Sequence, residues 1–316
     1  MGLLVEGIWR DQWYDTEKHG GRFVRPQTQF RDWVGPAGRF PAEAGRYHLY
    51  VSLACPWAHR ALIMRKLKGL EDVISYSVVH PYMGDQGWQF DSSYPGCTDD
   101  PVNGAAFMHE IYTRAQSDYT GRVTVPVLWD RETGTIVNNE SADLVRILNS
   151  GFQSLAGDDQ DYYPEPLREA IDAVNADVYD RVNNGVYKAG FATRQSAYEE
   201  AVHALFDALD ALEERLSRQR FLVGERMTEA DVRLFTTLVR FDPVYVSHFK
   251  CNIRRLVDYP NLWGFARDVY QTPGVAETVN FDHIKRHYFT SHPMINPTGI
   301  IPAGPAVDFD APHGRG

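Results

Sequence analysis

Apolar Leu49, Val51 and Leu53 alternate with His48, Tyr50 and Ser52, the period-two pattern of a strand. Past Cys55-Pro56 the spacing changes. Ala58, Ala61, Leu62, Met64, Arg65 and Leu67 follow a helical pattern, and Pro56 suits a first helical turn, where its missing N–H costs nothing. A second strand is predicted over residues 73–79, an irregular stretch over 80–101 and a helix over 105–115. Residues 123–129 read as a strand, Gly134 with residues 135–138 as its hairpin partner, and Ser141 as the opening of a helix through Leu148. A β-α-β start followed by a β-β-α end predicts a small α/β layer.

Beyond about Gly157 the period is 3.6 almost throughout. Tyr198, Val202, Leu205, Leu209, Leu212 and Leu216 form one apolar stripe. Thr228 and Asp231 have the spacing of a capping box, with Met227 and Val232 as its hydrophobic staple, predicting a buried helix over 230–238. Residues 1–45 are polar and poorly periodic, and read as an arm pinned by Trp9, Trp13, Phe30 and Trp33. After Tyr288 the chain turns Pro- and Gly-rich, which predicts a mobile tail.

Composition narrows the function classes. Hydrophobic residues make up 43% of the 316 and charged residues 23%, ordinary for a soluble globular protein. A net charge of −10 without a Lys/Arg block argues against a nucleic-acid surface. No apolar run reaches the roughly 18 residues of a membrane span, and the first residues lack the pattern of a signal peptide. Gly2 is followed by Glu6 where a myristoylation signal has Ser or Thr. Three cysteines are too few for a disulfide framework, so a reducing cytoplasm is the expected address.

Among those three, Cys55 has a distinctive context. It falls where a strand gives way to a helix N-terminus, and unpaired N–H groups with the positive end of the macrodipole favour a thiolate there. Ala58 occupies the place of a second cysteine in Cys-x-x-Cys, so the thiol needs an external thiol to turn over. Cys97 and Cys251 lack a helix-start context and read as inert. Glu140-Ser141 begins a helix after a hairpin: either an ordinary cap or a seat for an amino-acid carboxylate, with Glu140 taking the ammonium. Val125-Pro126 reads as a strand edge before a proline. His283, His287 and His292 lack a matching Cys or carboxylate set, so no metal site is expected. No phosphate loop or dinucleotide fingerprint is present.

Cys55-Pro56-Trp57-Ala58, Val125-Pro126, Glu140-Ser141 and Thr228-x-x-Asp231, in this order, resemble a glutathione transferase over about residues 47–290. The arm, the loop around Trp88 and the ending from His287 to Pro302 resemble its Xi class, the glutathionyl-hydroquinone reductases. The resemblance implies an α/β plus all-α fold: an arm (1–45), a thioredoxin-like glutathione-binding domain (46–156), an all-helical bundle domain (157–290) and a C-terminal extension (291–316).

It further implies a cis Val125–Pro126 peptide, with the Val125 backbone pairing the cysteinyl part of glutathione. Trp88 and Arg122 match further glutathione contacts, although Trp88 reads nearly as well as a loop anchor. Tyr187 matches a proton-transfer tyrosine; Tyr245 and Tyr288 match tyrosines that line the acceptor pocket and favour the thiolate. Glutathione is the implied co-substrate and a homodimer the implied assembly, with no metal, nucleic acid or membrane. The expected reaction is glutathione-dependent reduction of S-glutathionyl hydroquinones through a Cys55–glutathione mixed disulfide. The alternatives are an omega-like thioltransferase or dehydroascorbate reductase, and a non-catalytic binding protein on the same fold.

Overall fold

The computed structural model describes residues 2–36 and 38–315. They divide into two units, one of Met1–Trp13, Pro26–Gln160 and Thr278–Pro293, the other of Tyr14–Arg25, Asp161–Glu277 and Met294–Gly316.

The first unit begins with a hairpin where the sequence reads as an irregular arm. Strands β1 (Leu3–Val5) and β2 (Ile8–Arg10) are antiparallel and joined by Glu6-Gly7. Both loop residues have positive φ, 49° and 76°, as the tightest hairpin turns require. A Cβ on Gly7 would lie 2.0 Å from the Ser117 carbonyl, so only glycine fits. The other edge of β1 pairs with β5 (Gly121–Arg122). Three-residue strands are too short for periodicity to reveal, and Glu-Gly is a weak hairpin signal beside Asn-Gly.

The main sheet has the order β4-β3-β6-β7, from β3 (Tyr47–Val51), β4 (Ser75–Val78), β6 (Val127–Asp130) and β7 (Thr135–Asn138). Strand β3 runs parallel to β4 through the crossover helix α1 (Pro56–Leu67), and antiparallel to β6. All five residues of β3 are buried, so the alternation marks an inner strand covered on both faces. Helix α2 (Met108–Ala115) precedes β6, and α3 (Ser141–Arg146) follows β7 and packs on α1. This is the predicted thioredoxin-like layer, with shorter elements. Strand β6 begins only after Pro126, whose peptide bond is cis. Past Arg146 the helical ladder widens into a π-type turn, Ile147–Gly151.

Residues 30–32 extend this sheet along β7. The Asp32 N–H donates to the Val137 carbonyl (3.0 Å), and the Asn139 N–H donates to that of Phe30 (3.1 Å). Arg31 bridges antiparallel to Asn138 and pairs bidentately with Asp143.

In the second unit are α4 (Arg168–Asp177), α5 (Gly185–Gly190), α6 (Gln195–Leu216), α7 (Glu229–Arg240) and α8 (Pro260–Tyr270). The capping box is present: Thr228 Oγ1 accepts from the Ala230 N–H, and Asp231 accepts the Thr228 N–H at 2.8 Å. Every residue of α7 is buried, including an ion pair, Glu229–Arg233 at 2.9 Å, to which Asn175 adds a hydrogen bond.

The predicted mobile tail is instead anchored. Phe309 is buried against Trp263 and Tyr270, at ring separations of 4.9 and 5.2 Å. Arg315 donates to the carbonyls of Leu216, Gln219 and Arg220, satisfying acceptors just past the end of α6. Gln271 adds donors to the Phe309 and Ala311 carbonyls, and Arg267 to that of Pro312, so a Pro/Gly-rich segment without periodicity is held by side chains at the end of α8 as well.

Helix α9 (Phe281–Ser291) belongs to the first unit. His283 and His287 donate from Nε2 and Nδ1 to the carbonyls of Pro95 (2.7 Å) and Pro81 (2.9 Å). Ser291 Oγ accepts the Met83 N–H at 2.9 Å. Spaced by four, these side chains make one face that holds the loop from His80 to Pro101. Among the described residues no cluster of three or more His, Cys, Asp or Glu could hold a metal, and no helix is long and apolar enough to cross a membrane.

Two stability predictions follow from this packing. His48 is buried between Ser75 and Ser77 hydroxyls, and burial, then the Arg131 charge, push its pKa down to about 4. The unfolded chain therefore binds this proton first. The contribution is complete above about pH 6.5 and is lost as pH falls through about 4, on the order of 3 kcal/mol. Denaturant midpoints across that window should flatten in His48→Gln; an unchanged slope would refute the assignment. Phe309→Ala should lower unfolding free energy by about 3 kcal/mol or more, read from urea titration, where a detached tail would give no change.

Candidate active site

The first unit places Cys55 where β3 runs into α1. Ser52 shapes the turn: its carbonyl accepts the Cys55 N–H (3.2 Å) and its hydroxyl accepts that of Ala54 (3.2 Å). Cys55 itself is extended (φ −76°, ψ 121°), Pro56 follows as the first helical residue, and the Cys55 carbonyl accepts the His59 N–H. The thiol is half-buried, with Sγ 3.6 Å from the Val125 carbonyl. Ala58 is fully buried beneath it in sequence, so no second thiol is available on this turn.

The other two cysteines lie in different environments. Burial, reinforced by the Asp91 and Asp282 charges, pushes the Cys97 thiol up to about 12. Burial likewise raises Cys251 far above the ordinary range. Both remain protonated at neutral pH.

Val125 and the cis Pro126 lie beside Cys55. The α3 start shows the cap reading of Glu140-Ser141. Glu140 is the cap, its Oε1 accepting the Ala142 N–H at 3.0 Å, and it remains half-buried with its carboxylate at the helix entrance. Its own N–H donates to Asn138 Oδ1 at 2.7 Å. Ser141 Oγ accepts from Arg60 at 3.3 Å. Arg60, which periodicity does not single out, is a buried cation on α1, stacked 4.6 Å from the Trp57 ring. A charged residue within a helix's apolar stripe was its available signal.

Trp88 is buried and stacks on His287, with ring centroids 4.8 Å apart, the geometry of a loop anchor. Arg122 donates to the carbonyls of Gln12 and Trp13, the latter at 3.1 Å, and so ties the arm to β5. Tyr288 is buried on α9 between the rings of His287 and His292.

Tyr187 and Tyr245 belong to the second unit. Tyr187, on α5, packs edge-on to Phe249 (5.5 Å) and Tyr245 (6.2 Å), with the Arg25 guanidinium 5.1 Å from its ring centre. Arg25 is oriented by donating to Asn184 Oδ1 at 3.1 Å. Tyr245 is fully buried and stacks on Phe249. Gly190 permits this cluster, since a Cβ there would lie 2.2 Å from the Phe249 ring. Each unit therefore gathers its own share of the residues: the thiol, the cis-proline strand, the α3 start and Tyr288 in one, the Tyr187–Tyr245 aromatic cluster in the other.

A half-buried thiol at a strand-to-helix turn beside a cis proline, with a capped helix start after the hairpin, fits a glutathione transferase, and the chain belongs to that family. Residues 54–150 match the glutathione S-transferase N-terminal domain, and residues 195–268 the C-terminal domain. Within the family it belongs to the Xi class. The Xi-class glutathione transferase from Natrialba magadii superimposes with a TM-score of 0.94 at 51% identity, over 100% of this chain and 96% of that one. Glutathionyl-hydroquinone reductase YqjG of Escherichia coli (strain K12) is 58% identical over 100% of this chain and 98% of its own length. The glutathione-bound structure of YqjG matches with a TM-score of 0.91 at 55% identity, covering 99% of each chain.

The contrast among the cysteines is directly measurable. Brief alkylation with iodoacetamide at pH 7, read by intact mass, should add one carbamidomethyl group on Cys55 and none in Cys55→Ala. Labelling of Cys97 or Cys251 at a comparable rate would contradict the burial described here.

Proposed function

We propose that this chain reduces S-glutathionyl hydroquinones to hydroquinones with glutathione as the second substrate. The observation that carries the reading is the half-buried Cys55 at the first turn of α1, in a chain matching a glutathionyl-hydroquinone reductase from end to end. The Cys55 thiolate attacks the glutathionyl sulfur, forming a mixed disulfide as the carbon–sulfur bond breaks. The departing aromatic carbon takes a proton, directly or through a ketone tautomer, and Tyr187 is the donor. A second glutathione then attacks the mixed disulfide, giving glutathione disulfide and regenerating the thiolate. The sum is balanced: one carbon–sulfur bond is reduced and two glutathione sulfurs are oxidised to a disulfide.

Glutathione binds with Glu140 on the γ-glutamyl ammonium, Ser141 and the α3 start on its carboxylate, and the Val125 backbone along the cysteinyl residue. Arg122 and Trp88 complete that site, Arg122 while holding the arm. Tyr245 and Tyr288 line the acceptor side and favour the thiolate, since a phenol donating to sulfur stabilises its charge. The active protein is a homodimer in the cytoplasm. These assignments extend the family reading to particular residues.

Turnover of a glutathionyl-hydroquinone with glutathione should yield hydroquinone and glutathione disulfide in equal amounts, and Cys55→Ala should abolish it. Tyr187→Phe should lower kcat by roughly 10²-fold, in line with loss of a general acid, with little change in glutathione affinity. Disulfide reduction without quinol turnover would instead place the chain among thioltransferases. Full activity in Tyr187→Phe would remove the proton-donor role.

A further inference from the structure

The arm reaches the entrance of α3. Thr28 Oγ1 donates to Glu140 Oε2 at 3.0 Å, while Oε1 accepts the Ala142 N–H at the same distance. The two oxygens of one carboxylate are thus held by different parts of the chain, one by the helix it caps and the other by a hydroxyl 112 residues away in sequence. The two residues that follow Thr28 are both held. Gln29 donates from Nε2 to the Thr120 carbonyl at 2.7 Å, and Phe30 pairs with Asn139. The Phe30 ring stacks on Tyr119, with centroids 5.5 Å apart. The hydroxyl is therefore delivered by a fixed backbone, whereas a surface threonine would have rotamers to lose.

We propose that Thr28 is a positioning residue for glutathione: it fixes the rotation of the Glu140 carboxylate so that its remaining lone pairs face the γ-glutamyl ammonium. The inference rests on the assignment of Glu140 to that ammonium. An ionised carboxylate has about four acceptor sites. With Thr28 on Oε2, and the Ala142 N–H joined by the Ser141 hydroxyl (3.5 Å) on Oε1, the group is held about its final torsion, which is otherwise broad and roughly two-fold. A cation arriving at the open sites meets a preset acceptor, so no ordering of Glu140 accompanies binding. The arm thereby becomes part of the glutathione site without touching the ligand.

The test uses the full chain, with the wild type, Thr28→Val, Thr28→Ser and Glu140→Gln compared. Binding of S-methylglutathione, which cannot form the mixed disulfide, is measured by calorimetry, beside the KM for glutathione and kcat. Thr28→Val should weaken S-methylglutathione and raise the KM by about 5- to 10-fold, the scale of one typical net hydrogen bond, with kcat within about twofold. Thr28→Ser should restore affinity.

The decisive readout is an analogue lacking the ammonium, S-methyl-(glutaryl-cysteinyl-glycine). Thr28→Val should bind it as the wild type does, whereas a general loosening of the site would weaken both ligands alike. If Glu140→Gln weakens S-methylglutathione but Thr28→Val does not, the positioning role is overturned while the Glu140 assignment stands. If neither substitution changes affinity, the Glu140 assignment itself is wrong, and the inference falls with it.

Discussion

The polar groups at the buried C-terminal end of β7 need partners, and the arrangement of the first unit depends on how they find them. Asn138 is fully buried. Its amide donates to the Asp32 carbonyl and to Asp143, and its Oδ1 accepts the Glu140 N–H. One side chain thus satisfies the edge of a sheet, the entrance of a helix and a strand contributed from the arm. An unsatisfied buried amide costs about 1–3 kcal/mol, so each of these segments is fixed by the presence of the others. The bidentate Arg31–Asp143 pair closes the same network at its outer side. An edge strand that would otherwise invite another chain is covered by residues 30–32.

A similar economy of contacts governs the long loop from His80 to Pro101, which has little regular structure. Its backbone is held by side chains of α9, with His283 and His287 as donors to proline-residue carbonyls and Ser291 as an acceptor. Two imidazoles are suited to this, each offering an N–H on a flat ring that also packs against an aromatic neighbour. His287 does both, lying against Trp88 at an interplanar angle of 25°. The Trp88 loop and the Tyr288 helix therefore share one set of anchors.

Most of the thiol's setting was legible in the sequence, because the strand-to-helix change at Cys55-Pro56 is a local event with local signals. The capping box at Thr228 and the long stripe of α6 were legible for the same reason. What stayed hidden was non-local. The hairpin of β1 and β2 is too short for a period, and the pairing of residues 30–32 with β7 joins segments about a hundred residues apart. The tail read as mobile because its anchoring residues, Phe309 and Arg315 among them, form no pattern between themselves; the partners of these two lie on α6, α8 and the turn after α6. The roles of Tyr187, Tyr245 and Tyr288 came from resemblance, since seventeen tyrosines offer no internal ranking.

Both units are discontinuous along the chain. Residues 14–25 belong to a unit whose next segment begins at Asp161, and the first unit takes back residues 278–293 after the helices of the second have been made. During synthesis, the β3–β7 sheet would leave the ribosome well before α9 arrives to secure its long loop. Residues 14–25 would wait for a partner through some 135 intervening residues. Neither unit can be released by a single cut, and the final segment of the first unit is made only after residues 161–277 of the second. Each unit has all of its segments only when synthesis is nearly complete.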